Sequence, residues 1–258
     1  MRKPAGMSLA DALGVGPGAV VSLVGGGGKT TAMFRLAREL AARGLRVVTT
    51  TSTHISREQV ALSPAVVSTG DLPALGPLLD RHGQCLVAGA PDDRDRVFGS
   101  PPEEIALLAA RADVDVVVIE ADGSRSLPFK APAEHEPVVH PLTTLLVPVV
   151  GLDILGAPLD EEHVHRARYA AALAGVPEGV PVTEEIVARV LAHPLGGGKG
   201  RPDGARFVPL VNRADDEGAA ARGREIVARL LQCPGVDRVL LCSMLRPDAV
   251  IERRERSK

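Results

Sequence analysis

Four consecutive glycines followed by Lys-Thr-Thr constrain the fold of this sequence more than any other feature. The glycines, Gly25–Gly28, follow a short apolar run, Ala19–Val24, and precede a segment with apolar residues at helical spacing. A strand, a glycine turn and a helix in this order predict a phosphate-binding P-loop, because side chains with a Cβ would obstruct backbone N–H groups that converge on a phosphate. The dipole of the following helix adds positive potential at the same point.

The P-loop prediction gives each residue a role toward a nucleoside triphosphate. Backbone N–H groups of the loop would cradle the phosphates, Lys29 would reach the β- and γ-phosphates, and the Thr30 hydroxyl would ligate Mg²⁺. Thr31 is a candidate for the α-phosphate. The predicted nucleotide-binding residues of the loop are Gly25, Gly26, Gly27, Gly28, Lys29, Thr30 and Thr31. The loop has the short G-x-x-G-K-T-T form, which resembles the P-loop of Mur-type ligases and folylpolyglutamate synthases.

Apolar runs alternate with helical patterns along the chain, which predicts an α/β fold. We expect a mostly parallel, doubly wound sheet with helices on both faces, in a single nucleotide-binding domain over residues 1–258. Residues from about 160 to 200 are a candidate for a small helical insertion. The predicted strands are Ala19–Val24, Leu45–Thr50, Cys85–Ala88, Val114–Glu120, Thr144–Val150, Phe207–Val211 and Arg238–Cys242, the last closing the sheet; Glu184–Ala192 and Glu217–Leu231 are predicted helices.

Composition argues against partnership with nucleic acid or a membrane. The formal net charge is -2 and aromatic residues make up 2% of the chain, so neither a positive surface field nor stacking platforms are expected. No segment approaches the roughly 20 apolar residues of a membrane span. The three cysteines lie far apart, which is typical of a reducing compartment, and we expect a cytoplasmic protein.

Two carboxylates lie at the end of the apolar run Val114–Glu120. P-loop proteins hold Mg²⁺ with a carboxylate near the end of a neighbouring strand, directly or through water. Glu120 is therefore the candidate metal ligand together with Thr30, and Asp122 is a candidate for a second ligand or for orienting a water. The alternative is that both carboxylates only cap the strand at the surface.

Two further strand ends carry candidate ligand contacts. A run of hydroxyl side chains precedes His54, and ligands of doubly wound sheets bind beyond the carboxyl ends of the strands, although threonine also simply favours strands. Asn212-Arg213-Ala214-Asp215 fits the N-[KR]-x-D pattern with which GTPases read guanine. Asn212 and Asp215 are thus candidate base contacts, with Asp215 as a plain helix cap as the alternative. ATP and GTP both stay open.

A longer segment carries a more specific resemblance. Ile119–Pro132 and Glu134–Val139, together with the glycine loop, Thr49–Ile55 and Phe207–Asp215, resemble the YqeC-type accessory proteins of selenium-dependent molybdenum hydroxylases. The resemblance runs from about Leu9 to Asp215. It implies a nucleotide-dependent maturation factor whose partner is a molybdenum–selenium cofactor precursor or an apo-hydroxylase.

Within that resemblance, a polar cluster after the acidic strand implies a second substrate. Arg125 and Lys130, with Ser124, are candidates for binding an anion, and His165 and Arg166 are candidates for completing the site. The predicted catalytic residues are Lys29, Glu120, Asp122 and Arg125. The expected activity is that of a Mg²⁺-dependent NTPase or NTP-dependent transferase or ligase; a nucleotide-gated chaperone and a small-metabolite kinase are the alternatives.

Overall fold

A ten-stranded sheet forms the centre of the computed structural model, which describes residues 6–93 and 96–256. Its strands run in the order β14-β13-β12-β9-β1-β7-β2-β5-β4, with β11 beside β9, and every pair is parallel except β13–β14. The short strands β8 and β10 pair separately, as do β3 and β6. The strands are β1 Ala19–Gly25, β2 Val47–Thr51, β3 His54–Ser56, β4 Val66–Ser68, β5 Gln84–Ala88, β6 Arg96–Phe98, β7 Val116–Glu120, β8 Phe129–Lys130, β9 Leu145–Gly151, β10 Val164–His165, β11 Arg206–Phe207, β12 Leu210–Asn212, β13 Arg238–Cys242 and β14 Val250–Glu255.

Helices cover both faces of this sheet. The helices are α1 Leu9–Leu13, α2 Lys29–Ala41, α3 Arg57–Val60, α4 Leu75–His82, α5 Pro102–Ala110, α6 Ala167–Ala174, α7 Glu184–Ala192 and α8 Glu217–Gln232. Along β1, Val20 and Val24 join one apolar cluster while Val21 and Leu23 join the other, because successive side chains of a strand point to opposite faces. The predicted class, a mostly parallel and doubly wound α/β sheet, is confirmed.

The edge of the sheet differs from the prediction. Arg238–Cys242 is a strand, but it does not close the sheet, since β14 pairs antiparallel beyond it. The sequence of β14 ends in the charged run Glu252-Arg253-Arg254-Glu255 and lacks an apolar run, so the sequence alone predicts a solvated tail there. Such charges are typical of an edge strand, which has one side open to water. The predicted strand Phe207–Val211 is split into β11 and β12.

Two helices lie within residues 160–200, and α7 has the bounds predicted from the sequence. α6 packs on α7, and α7 packs on α8. Their buried residues belong to the apolar cluster on one face of the large sheet. Among the described residues, no helix combines the length and the hydropathy that a bilayer crossing requires.

α8 approaches the sheet closely at a glycine. A Cβ added at Gly223 would lie 2.4 Å from Cδ1 of Leu241 on β13 and 3.1 Å from Cδ1 of Leu152. The absence of a side chain at position 223 therefore sets the distance between α8 and the strands below it.

We predict that Gly223→Val lowers the free energy of unfolding by about 1–3 kcal/mol, because overpacking outweighs the small gain in helix propensity. Urea unfolding would measure it. The matched control is Gly218→Val in the exposed first turn of the same helix, which should stay within about 0.5 kcal/mol of the wild type. Equal stability of the two variants would contradict the close contact.

Candidate functional site

The glycine loop, Gly25–Gly28, connects β1 to α2 at the carboxyl end of the sheet. Gly27 and Gly28 have φ angles of 73° and 117°, a region that side chains rarely adopt. A Cβ on Gly27 would lie 2.1 Å from the backbone nitrogen of Gly151, and one on Gly28 would lie 2.4 Å from Nδ2 of Asn212. Both positions therefore require glycine for conformation and for space.

The backbone N–H groups of the loop are bonded within the protein, whereas those of the first turn of α2 have no side-chain cap. Gly25, Gly26 and Gly27 donate to Asp122, to the Val149 carbonyl and to the Leu127 carbonyl, which fixes the loop. Gly28 is the N-cap of α2 and makes no side-chain cap hydrogen bond. The first-turn N–H groups of α2 thus lack a side-chain acceptor, and with the helix dipole they form a site that can bind an anion.

Lys29 is buried at the first position of α2, with 2% of its surface exposed. Its Nζ donates to the Gly25 carbonyl at 2.5 Å and lies 3.2 Å from Oδ1 of Asp122 and 3.6 Å from Oε1 of Glu120. Burial alone would lower the pKa of Lys29, but the charges of Asp122 and Glu120 outweigh it and hold the pKa above its ordinary value. The ammonium is therefore charged and points back over the loop.

Thr30 and Glu120 meet beside this lysine. The Thr30 hydroxyl donates to Oε2 of Glu120 at 2.7 Å, so the two predicted metal ligands lie next to each other. Burial raises the pKa of Glu120, with Lys29 and Thr30 opposing the shift. Gln59 of α3 donates to the same Thr30 oxygen at 3.1 Å. The sequence analysis did not select Gln59, whose only local signal is the capping box that it forms with Ser56.

A chain of ion pairs, which we call the ion-pair chain, runs away from the loop. Its first three members, Lys29, Asp122 and Lys130, are buried, and its last two, Glu136 and Arg166, are half-buried. Asp122 lies between Lys29 and Lys130, and its Oδ2 is 3.0 Å from Nζ of Lys130. Lys130 then contacts Oε2 of Glu136 at 2.7 Å, and Arg166 contacts the same oxygen. Burial would raise the pKa of Glu136, but hydrogen bonds from Lys130 and Arg166 hold it below its usual range.

The ion pairs of Lys130 argue against the predicted role of this residue, which was to contact an anionic substrate. Its three donors are taken by Asp122, by Glu136 and by the Gly123 carbonyl at 2.7 Å, and the residue is 4% exposed. No donor is left for a substrate. Lys130 therefore supports Asp122 from behind the loop.

A cavity of about 800 Å³ opens above the glycine loop. The predicted site residues that line it are Gly27, Gly28, Lys29, Thr30, Thr31, His54, Glu120, Ser124 and Arg125; Arg57, Gln59, Arg96 and Arg213 line it as well. Those outside its lining are Gly25, Gly26, Asp122, Lys130, His165, Arg166, Asn212 and Asp215. The cavity thus joins the first turn of α2 to a wall rich in arginine.

Arg125 is an exposed cation of that wall. It forms no ion pair with any residue of the described ranges. Arg125 and Ser126 have φ angles of 51° and 62°, a left-handed conformation that costs about 1–3 kcal/mol per non-glycine residue. Such strain is typical of functional sites, where the surrounding structure holds a side chain in place.

His165 lies behind the cavity, paired in register with Lys130 across β8 and β10. It is 7% exposed. Burial, and then the charges of Lys130, Arg166 and Arg125, lower its pKa to about 4. At neutral pH it is therefore an uncharged imidazole that packs against the ion-pair chain.

The residues of the N-[KR]-x-D pattern lie at the carboxyl end of β12. Asn212 is 3% exposed, and its Nδ2 donates to the Gly27 carbonyl at 2.8 Å. Asp215 is exposed and accepts a hydrogen bond from Ser243, a residue that the sequence analysis did not select. The cap of α8 is Asp216, which accepts from the Ala219 N–H at 2.8 Å. The helix-cap alternative for Asp215 is therefore wrong.

Comparison with known proteins finds similarity both in sequence and in structure. A family model described as YqeC protein matches residues 21–168. The protein YqeC of Escherichia coli (strain K12) is 38% identical over 198 residues, which are 75% of each chain. The structure of chloroplast FtsY from Physcomitrella patens is 16% identical, with a TM-score of 0.34 over 90% of this chain. This chain spans 52% of that FtsY chain.

We predict that acid destabilises the protein through His165. The unfolded chain takes up a proton near pH 6.5, whereas the folded state resists it down to about pH 4, so stability is lost as the pH falls through this window. Between pH 7 and pH 5 this contribution is about 2 kcal/mol. In urea unfolding between pH 7 and pH 5, the free energy of unfolding of His165→Gln should depend less steeply on pH than that of the wild type. His135→Gln, at an exposed position, should keep the slope of the wild type; an identical slope in all three proteins would exclude the effect.

Proposed function

The chain belongs to the YqeC family, and from this premise we propose that it binds a Mg²⁺–nucleoside triphosphate at the glycine loop and hydrolyses it. The observation that carries this proposal is the convergence of three groups on one cavity. These are the uncapped first turn of α2, the Lys29 ammonium, and the pair Thr30–Glu120. They supply an anion site, a positive charge and hard oxygen ligands at one place.

Lys29 is proposed to exchange partners when phosphate arrives. Its bond to the Gly25 carbonyl is one that a β- or γ-phosphate oxygen can replace, since the charged oxygen is the stronger acceptor. Asp122 keeps its two N–H···O contacts with Gly25 and its ion pair with Lys130, so the loop stays fixed while Lys29 turns. The lysine would then offset charge that develops on the transferred phosphoryl group.

Thr30 and Glu120 fit Mg²⁺, which prefers oxygen ligands and keeps several waters. Among the described residues, no group of three or more His, Cys, Asp or Glu side chains could hold a metal, so phosphate oxygens and water would complete the coordination. The ion supplies charge neutralisation of the phosphates. A bound Mg²⁺ would lower the pKa of Glu120, because a nearby positive charge favours the carboxylate.

The biological role proposed is maturation of the cofactor of selenium-dependent molybdenum hydroxylases, in the cytoplasm and by one domain spanning the chain. The resemblance to the YqeC-type accessory proteins supports the maturation role. The cavity supports the type of reaction, since Arg125, Ser124 and His54 line it together with Lys29. An anionic acceptor bound at Arg125 would lie in the same cavity as the terminal phosphate, which suits an NTP-dependent transferase or ligase.

A second candidate function is a nucleotide-gated chaperone, and the ion-pair chain favours it. Withdrawal of Lys29 from Asp122 would alter the charge that Lys130, Glu136 and Arg166 share, and Arg166 is 20% exposed. Hydrolysis stimulated by an apo-hydroxylase without any small molecule would favour the chaperone. Phosphate release that requires a small acceptor would favour the transferase.

We predict micromolar binding of a Mg²⁺–nucleoside triphosphate, measured by calorimetric titration of ATP, GTP and their diphosphates. Lys29→Ala should weaken binding about 10- to 100-fold, because a charge-assisted hydrogen bond to phosphate is lost. Lys199→Ala is the matched control, because Lys199 donates only to the backbone carbonyls of Ala133 and Glu134, away from the cavity. This variant should bind the nucleotide as the wild type does. Lys29→Arg keeps the buried charge and should also bind weakly, which separates a lost contact from lost folding.

We further predict that Glu120→Gln keeps nucleotide affinity in EDTA within a few-fold but loses the gain in affinity that Mg²⁺ gives the wild type. The amide keeps the shape and the bond from Thr30 but not the charge that favours the metal. The measurement is the same titration with and without Mg²⁺. Absence of binding by the wild type at millimolar nucleotide would refute the proposed function.

A further inference from the structure

The turn that follows β12 borders the same cavity as the glycine loop. β12 is separated from β1 only by β9, so its carboxyl end lies about 10 Å from that of β1 at the usual spacing of strands. Arg213, the second residue of the turn, lines the cavity, and its guanidinium is held by Asp153. Asp215 lies two residues after Arg213 and outside the lining of the cavity, so a ligand that starts at the first turn of α2 reaches it by extending past Arg213.

Asn212 ties this turn to both of its neighbours. Its Nδ2 donates to the Gly27 carbonyl at 2.8 Å, and its Oδ1 accepts from the Met244 N–H at 3.1 Å. The glycine loop, the end of β12 and the segment after β13 are thereby held together by one buried side chain. Ser243, which precedes Met244 and is fully buried, is placed to donate to Asp215.

Asp215 presents an acceptor that the protein does not use. Ser243 donates to its Oδ1, while its Oδ2 has no donor among residues 6–93 and 96–256, and the residue is exposed. Leu245, two residues beyond Ser243, is 85% exposed and offers an apolar surface at the same end of the sheet. A ligand that matches both has a flat apolar face and adjacent N–H donors on its edge.

Resting on the proposed nucleotide binding, we propose that the base read at this turn is guanine, with Asp215 as its acceptor and Ser243 as the positioning residue. Guanine carries N1–H and N2–H₂ side by side, and a carboxylate can accept from both. Adenine offers one donor beside the lone pair of N1, which a carboxylate repels. The turn therefore selects GTP over ATP.

The test is calorimetric titration of GTP, ATP and xanthosine triphosphate into the wild type and Asp215→Asn. Xanthine replaces the 2-amino group of guanine with a carbonyl, so an amide at position 215 pairs with it while the carboxylate does not. We expect the wild type to prefer GTP over ATP by about tenfold or more. Asp215→Asn should lose that preference and gain affinity for xanthosine triphosphate by a similar factor.

Two further variants complete the design. Asp216→Asn, one residue along, changes only the cap of α8, where Asn and Asp are equivalent, and should bind all three nucleotides as the wild type does. Ser243→Ala keeps the carboxylate and should reduce the preference for GTP several-fold, which serves if Asp215→Asn folds poorly. If the wild type binds ATP and GTP equally and Lys29→Ala binds neither, guanine recognition is overturned and the proposed function stands. No binding of any nucleotide would overturn both.

Discussion

A buried lysine ammonium is the constraint around which this end of the molecule is organised. Removing an ammonium from water costs several kcal/mol unless charged and hydrogen-bonding partners surround it. Lys29 has the Gly25 carbonyl from the glycine loop, and Glu120 and Asp122 from the end of β7, as its partners. Asp122 in turn is buried and needs Lys130, and Glu136 needs Lys130 and Arg166. The loop, the end of β7 and the small sheet of β8 and β10 are therefore fixed relative to one another by alternating charges.

The same network keeps the glycine loop rigid while it leaves hydrogen-bond donors at the cavity. The carbonyl acceptors that hold Gly26 and Gly27 belong to β9 and to the segment before β8, so the loop keeps its shape without a ligand. The groups that line the cavity are the first turn of α2, the Thr30 hydroxyl, which donates to Glu120, and the Lys29 ammonium, which Gly25, Asp122 and Glu120 hold. These are donors and a cation, which is the set that a polyphosphate requires.

Local pattern was sufficient for much of the fold. The strands β1, β7 and β9 were visible as apolar runs, and α2 was visible from the helical spacing of its apolar residues. The alternation of strands and helices then predicts the mostly parallel sheet. β14 was not predicted because four of its six residues are charged and it has no apolar period. The sequence analysis did not select Glu136, Gln59 and Ser243, because their roles come from contacts distant in sequence. They contact Lys130, Thr30 and Asp215, which are 6, 29 and 28 positions away. Asn212 and Asp215 were visible as a pattern, but only the structure separates Asp215 from the helix cap at Asp216.

Asn212 has a further consequence for how affinity is divided along a ligand. One amide group spans the glycine loop and the segment after β13, so neither can shift without breaking a buried hydrogen bond. The two ends of the cleft are thus assembled before anything enters it, and a ligand would not have to spend binding energy on ordering either end. Contacts at one end would then strengthen those at the other through effective concentration, with the ligand itself as the linker.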